Sequence, residues 1–164
     1  MSLRAPLTRR TAVIALAAGL AGCATPRPRL PGEAAWSGRL ALRVDSTPPQ
    51  AFSALFDLRG SAAQGELQLS SALGQTLATV RWSAQGAELQ RGNDTTRRDS
   101  LDALTTELSG APLPVLAMFD WLQGRDAQAG GWRVDLSAHA NGRLVAQREQ
   151  PRPSAELRLV FEQP

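Results

Sequence analysis

The sequence contains no lysine and no tyrosine, and it has only one cysteine and one histidine among 164 residues. A single cysteine cannot form an intrachain disulfide, so the hydrophobic core has to stabilise the fold. The lone His139 excludes a zinc site built from several histidines, and we interpret it as a solvent-exposed residue beside a turn. The chain has no Gly-x-Ser-x-Gly elbow and no glycine-rich phosphate loop. Its closest pair of carboxylates, Asp99 and Asp102, is better explained by helix capping. We therefore expect neither an enzyme nor a metal site.

The balance of charge excludes a second class of function. All basic side chains are arginine, and the 18 arginines stand against 15 acidic residues. Arg4, Arg9 and Arg10 precede Cys23, whereas all 15 acidic residues follow it, so the chain beyond Cys23 carries 15 charges of each sign. A neutral domain lacks the basic surface that binds nucleic acid. We exclude nucleic acid as a partner.

The N-terminus has the pattern of an export signal. Arginines are followed by an apolar run over residues 11–20, as in a secretory signal peptide, and this run is shorter than the roughly 20 residues that span a bilayer. It ends in Leu20-Ala21-Gly22-Cys23, which resembles the lipobox of bacterial lipoproteins. That resemblance implies that Cys23 is acylated and becomes the new N-terminus. Because Ala24 rather than aspartate follows, it also implies delivery to the outer membrane. The alternative is an ordinary signal peptide with a cysteine there by chance.

Three segments follow from this pattern. Residues 1–22 are the predicted lipoprotein signal peptide. Residues 23–35 are the acylated N-terminus and a tether, in which Pro26, Pro28 and Pro31 prevent a regular hydrogen-bond ladder. Residues 36–164 have a length that suits one domain.

From Trp36 onward, polar and apolar residues alternate in short segments that end at glycine, proline or asparagine. Alternation of this kind predicts β-strands, and eight or nine of them are expected in one antiparallel sheet. A sheet of that size tends to curl.

The middle of the chain changes to helical spacing. Leu101, Leu104 and Leu108 form a stripe, with either Asp99 or Ser100 as the N-cap. A second helix is predicted from Pro114 to the residue before Gly124, apolar on nearly every side. Such a helix needs cover on more than one side, so we expect the helices to cover the concave face of the sheet. The predicted fold is mainly β with a helical insertion.

The order of several short motifs resembles one known family. They are Trp36-Ser37-Gly38-Arg39-Leu40-Ala41-Leu42, the segment Gly65-Glu66-Leu67-Gln68-Leu69-Ser70-Ser71-Ala72-Leu73-Gly74-Gln75-Thr76, Gly110-Ala111-Pro112-Leu113-Pro114-Val115, and Asp120-Trp121-Leu122-Gln123-Gly124. Behind a lipobox, this order resembles the LolB family of outer-membrane lipoprotein receptors. The resemblance implies an unclosed antiparallel barrel with helices covering an apolar cavity. It also implies a receptor that takes lipoproteins from the periplasmic carrier LolA, shields their acyl chains and inserts them into the outer membrane, without a cofactor.

The resemblance also implies site residues. Leu73 matches an exposed apolar residue that acts in membrane insertion. The acyl-chain cavity is expected to be lined by inward-facing side chains of the strands and the second helix, namely Trp36, Leu40, Phe52, Phe56, Val80, Trp82, Leu116, Phe119 and Trp121. The expected partners are a LolA-type carrier, the acyl chains of lipoprotein cargo and the inner leaflet of the outer membrane. The protein is expected to be a monomer on the periplasmic face, anchored through Cys23.

Two other functions remain open at this point. One is a structural or assembly lipoprotein of the outer membrane that binds a protein partner through its sheet face. The other is a LolA-like carrier, although a carrier should be soluble and the predicted anchor at Cys23 argues against it. A large apolar void inside the sheet would favour the receptor, whereas a filled core with an exposed apolar patch would favour the assembly lipoprotein.

Overall fold

A nine-stranded antiparallel sheet dominates the computed structural model, which describes residues 34–109 and 112–162. The strands are β1 (Ala34–Val44), β2 (Gln50–Gly60), β3 (Gly65–Ser70), β4 (Thr76–Ser83), β5 (Gly86–Arg91), β6 (Asp94–Arg98), β7 (Trp132–Asp135), β8 (Arg143–Arg148) and β9 (Ala155–Phe161). Two helices, α1 (Leu101–Ser109) and α2 (Val115–Leu122), lie between β6 and β7 in the chain. The prediction of a mainly β fold with a helical insertion is confirmed.

The strands form the order β6-β5-β4-β3-β2-β1-β9-β8-β7. Neighbours in this order are also neighbours in sequence, except where β9 pairs with β1, for example Leu159 opposite Leu40. Strands β6 and β7 are the two ends of the order, and no ladder between them closes the sheet within the described ranges. The structure therefore has the unclosed, curled sheet that the sequence resemblance implies.

Alternating burial shows why these segments are strands. Along β9, Leu157, Leu159 and Phe161 are buried, whereas Arg158 and Val160 between them are exposed. Successive side chains of a strand point to opposite faces, so this pattern places one face of the sheet against a core and the other in solvent.

Gly38 lets β1 and β9 approach each other closely. A Cβ atom at this position would lie 2.1 Å from the backbone oxygen of Val160, well inside contact distance. Only glycine allows the two strands to pair here without a shift of the backbone.

Both helices begin where the sequence predicts, and α2 ends at Leu122, two residues before Gly124. Ser100 caps α1, since its Oγ accepts a hydrogen bond of 3.1 Å from the backbone N–H of Ala103. Helix α2 starts after Pro114, and its buried residues are Val115, Ala117, Met118, Phe119, Trp121 and Leu122. A helix buried on six of eight positions needs cover from several sides, which confirms the interpretation of its composition.

The N-terminal predictions lie outside the described residues. They concern the signal peptide over 1–22, the acylated Cys23 and most of the tether, and Gly110 at the predicted end of α1 is also outside. Among the described residues, neither helix has the length and hydropathy of a membrane-spanning segment.

Candidate functional site

An apolar cavity of about 610 Å³ lies at one end of the sheet. A volume of this size is typical of a pocket that holds one ligand molecule, roughly 300–1,000 Å³. Its lining comes from the first five strands, from α1 and from the residues that lead into α2. Of the sixteen lining residues, thirteen are apolar and three polar, namely Leu42, Val44, Pro49, Ala51, Phe52, Leu67, Leu69, Leu77, Ala78, Val80, Leu89, Leu113 and Val115, with Gln50, Arg91 and Thr105.

The rim of the cavity exposes large apolar side chains to solvent. Phe52 and Leu77 line the cavity and are each 39% exposed. Water therefore reaches the cavity at this end of the sheet, and an apolar ligand could enter there without crossing the packed core. Exposed apolar surface around an opening is a common mark of a binding site.

A β-bulge places Leu77 in this lining. The register between β3 and β4 pairs Leu69 with Ala78 and then Ser70 with Thr76, which leaves Leu77 as an extra residue. In a regular strand Leu77 and Ala78 would point to opposite faces, but a bulge breaks the alternation. Both residues therefore line the cavity, whereas the sequence pattern places them on opposite faces.

The structure places the nine predicted cavity residues in three different surroundings. Phe52 and Val80 line the cavity. Trp36 is half-buried against Phe161, and Leu116 is 38% exposed on α2. The other five lie in the packed core outside this lining, namely Leu40, Phe56, Trp82, Phe119 and Trp121. A role for any of the nine residues in acyl-chain binding stays a prediction.

Aromatic packing explains why part of the predicted set belongs to the core. The rings of Trp82 and Phe119 meet edge to face with their centroids 6.0 Å apart. The indole N–H of Trp82 donates to the backbone oxygen of Ser61 at 3.1 Å, and that of Trp121 donates to Ala127 at 2.8 Å. A buried indole with its donor satisfied is a stable part of a core.

Leu73 projects from the turn between β3 and β4. Its side chain is 97% exposed. The turn is closed beneath it, because the N–H of Ser71 donates to the oxygen of Gln75 at 2.8 Å and the N–H of Gly74 donates to that of Ser71 at 2.9 Å. A short hydrogen-bonded turn thus presents one leucine to solvent, four residues before the cavity-lining Leu77.

A buried arginine holds the segment between the helices. Arg148 is 2% exposed, and its guanidinium donates to the backbone oxygens of Pro112 at 3.3 Å and Pro153 at 2.9 Å. The guanidinium also lies 5.3 Å from the ring centroid of Trp132, whose indole N–H donates to the same Pro112 oxygen at 3.2 Å. Burial lowers the pKa of Arg148 from its ordinary value. Pro112 directly precedes the cavity-lining Leu113, so these contacts fix one wall of the cavity.

His139 differs from its sequence interpretation. It is half-buried rather than solvent-exposed, its Nε2 lies 3.0 Å from the backbone oxygen of Leu122, and its ring packs 5.2 Å from that of Phe161. The turn that carries it folds back under α2, which a local turn signal does not reveal. Across the described ranges, no group of three or more histidine, cysteine or acidic residues could hold a metal ion.

Comparison with known families decides which family this chain belongs to. The family model described as outer membrane lipoprotein LolB matches residues 34–159, which include the whole cavity lining and Leu73. The chain belongs to the LolB family. LolB is a family that traffics lipoproteins and is not an enzyme family.

Individual LolB proteins are similar along most of the chain. The outer-membrane lipoprotein LolB of Bordetella petrii is 34% identical over 178 residues, covering 91% of this chain and 89% of that protein. The LolB of Chromobacterium violaceum is 32% identical over 150 residues, covering 86% and 79% respectively. The LolB of Ralstonia nicotianae is 34% identical over 140 residues, covering 78% and 67%.

Proposed function

We propose that this protein is an outer-membrane receptor that accepts lipoproteins from a LolA-type periplasmic carrier, shields their acyl chains in the apolar cavity and inserts them into the outer membrane. The observation that carries the proposal is the cavity itself, with thirteen apolar residues among sixteen and an opening to solvent. A cavity of this kind supports the receptor over an assembly lipoprotein that binds a partner through its sheet face.

The physical need for such a cavity follows from the hydrophobic effect. Each buried methylene is worth about 0.8 kcal/mol, so a triacylated anchor of some 45 methylenes costs on the order of 36 kcal/mol to expose to water. Spontaneous release into the periplasm is therefore too slow to matter. Transfer from one apolar cavity to another replaces this barrier with a small difference between two binding sites.

Two further parts of the chain fit this role. Acylation of Cys23 would anchor the protein. Because β1 begins at Ala34, the tether over 24–33 would span at most about 35 Å when fully extended. The domain would therefore stay close to the membrane surface. Leu73, fully exposed on its closed turn, would enter the acyl region first, because a single leucine gains free energy when it leaves water.

The test of the receptor role is transfer between purified proteins. The chain from Ala24 onward is mixed with LolA that carries a lipoprotein, and the two are separated by chromatography. We expect the lipoprotein to elute with this domain, since the domain offers an apolar site to the acyl chains. Retention on LolA, with the domain shown to be folded by circular dichroism, would contradict the proposal and favour the assembly lipoprotein.

Insertion is tested separately with Leu73→Glu. This variant should fold and accept the lipoprotein, but it should fail to deliver it to vesicles that are then floated on a density gradient. Val160→Glu is the matched control, because Val160 is another exposed apolar residue, 51% exposed on the outer face of β9. Normal delivery by Leu73→Glu would show that this leucine has no part in insertion.

A further inference from the structure

Arg91 occupies an unusual position in the apolar cavity. It is the last residue of β5, it is exposed, and it lines the cavity. Leu89 and Ala87, two and four positions earlier, are buried. Since residues two apart in a strand share a face, Arg91 continues the inward-facing row of β5 to the mouth. Of the described lining residues it is the only charged one.

Arg91 forms no ion pair within the described part of the chain. Its cross-strand partner in the β5–β6 ladder is Asp94, yet the ion pairs found among the described residues do not include Arg91. Some exposed arginines of the same sheet are paired, for example Arg81 with Glu66 at 2.7 Å and Arg97 with Glu88 at 2.6 Å. Others, such as Arg39, share the lack of an ion pair within the described ranges but lie on the outer face, away from the cavity lining. The guanidinium group of Arg91, which has no carboxylate partner in an ion pair among the described residues, thus lies at the entrance to an apolar cavity.

We propose that the cavity also binds a single-chain lipid with an anionic head, the acyl chain in the cavity and the carboxylate or phosphate on Arg91. This inference rests on the proposed function, because it assumes that the cavity accepts acyl chains. The volume of about 610 Å³ suits one ligand molecule. A guanidinium is the side chain that best recognises carboxylate and phosphate groups, since it donates two parallel hydrogen bonds in a fixed plane.

The alternative role for Arg91 is to cover apolar surface. Long basic side chains often lay their methylene stem on an apolar rim and keep the charged head in water. In that case the head group of a bound lipid would not matter. The two roles are separated by comparing ligands that share one acyl chain and differ only in the charge of the head.

The test uses the mature chain from residue 23 with Cys23→Ser, so that no acyl chain of its own competes for the cavity. Binding of palmitate, palmitoyl lysophosphatidate and uncharged monopalmitoylglycerol is measured by titration at low ionic strength, below the concentration at which each forms micelles. We expect at least one of the two anionic lipids to bind about tenfold more tightly than the uncharged one, the gain from a charge-assisted hydrogen bond. Added salt should reduce this preference, and inorganic phosphate alone should not compete at similar concentrations.

Two variants complete the design. Arg91→Gln should remove the preference, so that in this variant the anionic lipids bind no more tightly than monopalmitoylglycerol, and a preference that persists in this variant would overturn the role of Arg91. Arg39→Gln should keep the preference, because Arg39 is an exposed arginine on the outer face of β1.

The outcomes distinguish this inference from the proposed function. Equal binding of all three lipids would overturn the role of Arg91 and leave the acyl cavity in place. An equal loss of the preference in Arg39→Gln would also overturn it, because the effect would then come from general surface charge. Failure of all three lipids to bind would instead contradict the acyl-chain cavity on which the proposed function depends.

Discussion

An alanine-to-phenylalanine substitution that fills the cavity should stabilise the protein, whereas the same substitution in the packed core should destabilise it. Ala78 lines the cavity and is 7% exposed, whereas Ala146 lies on β8, is fully buried and does not line the cavity. Both are small buried residues on strands of one sheet. Replacing each with phenylalanine therefore compares the open space beside Ala78 with the filled core around Ala146.

The magnitudes follow from burial and packing. Burying a phenylalanine side chain is worth about 1.5–3 kcal/mol, and fixing its rotamer costs about 0.5–1 kcal/mol. The open rim leaves part of the ring in water, so Ala78→Phe should raise the free energy of unfolding by about 1 kcal/mol. Ala146→Phe must displace packed neighbours and should lower it by about 3 kcal/mol.

The assay is urea unfolding followed by tryptophan fluorescence, with the free energy taken by linear extrapolation. Ala78→Phe should also weaken acyl-chain binding, because losing contact with two methylenes of a bound chain costs about 1.6 kcal/mol, roughly fifteenfold in Kd. If Ala78→Phe were as destabilising as Ala146→Phe, the space beside Ala78 would not be available to a ligand, and the argument from the cavity would fail.

Three further predictions concern stability. Hydrogen bonds from Gln147, and to a smaller extent from Arg158, lower the pKa of Glu156 below its ordinary value of 4.5. The ionised carboxylate therefore stabilises the fold fully above pH 4.5, and this stabilisation is lost as the pH falls through the lower pKa of the folded state. The free energy of unfolding should depend less on acid pH in Glu156→Gln than in the parent, and an unchanged dependence would contradict this. Arg148→Met keeps an apolar stem but removes two hydrogen bonds to the backbone carbonyls of the half-buried Pro112 and Pro153. It should lower the free energy of unfolding, measured in urea, by about 2 kcal/mol, and a variant as stable as the parent would mean that the cost of burying the charge cancels these bonds. Gly38→Ala forces β1 and β9 apart and should lower the melting temperature by more than any exposed glycine-to-alanine change in the same scan, and a melting temperature equal to that of the parent would contradict the close approach of the strands.

Alternation and spacing predicted the fold well because they report which face of an element is buried. Leu40, Phe56 and Trp82 were expected to face inward from their strands, and all three are buried. Ser100 was one of two candidates for the N-cap of α1, and its hydroxyl makes the capping bond. These features depend on local sequence, so a local pattern is enough to find them.

The cavity lining was harder to predict because the period of a strand does not distinguish a core from a cavity. Both lie on the same inner face, and the position of the helices decides which residues they cover. The bulge at Leu77 added a second difficulty, since it reverses the expected direction of that side chain. Leu113, in the linker between the helices, lines the cavity. The preceding residue, Pro112, accepts a hydrogen bond from the buried Arg148, which is distant in sequence. No pattern around Leu113 indicates that contact.

The most direct test of the receptor proposal is to locate the acyl chains of a lipoprotein that this protein has accepted. A lipoprotein with a photoreactive group near the end of one acyl chain is transferred from LolA, irradiated, and the cross-linked residues are identified by mass spectrometry. The proposal predicts cross-links to cavity residues such as Leu42, Leu69 and Leu89. Cross-links confined to the outer face of the sheet, around Val160, would contradict it.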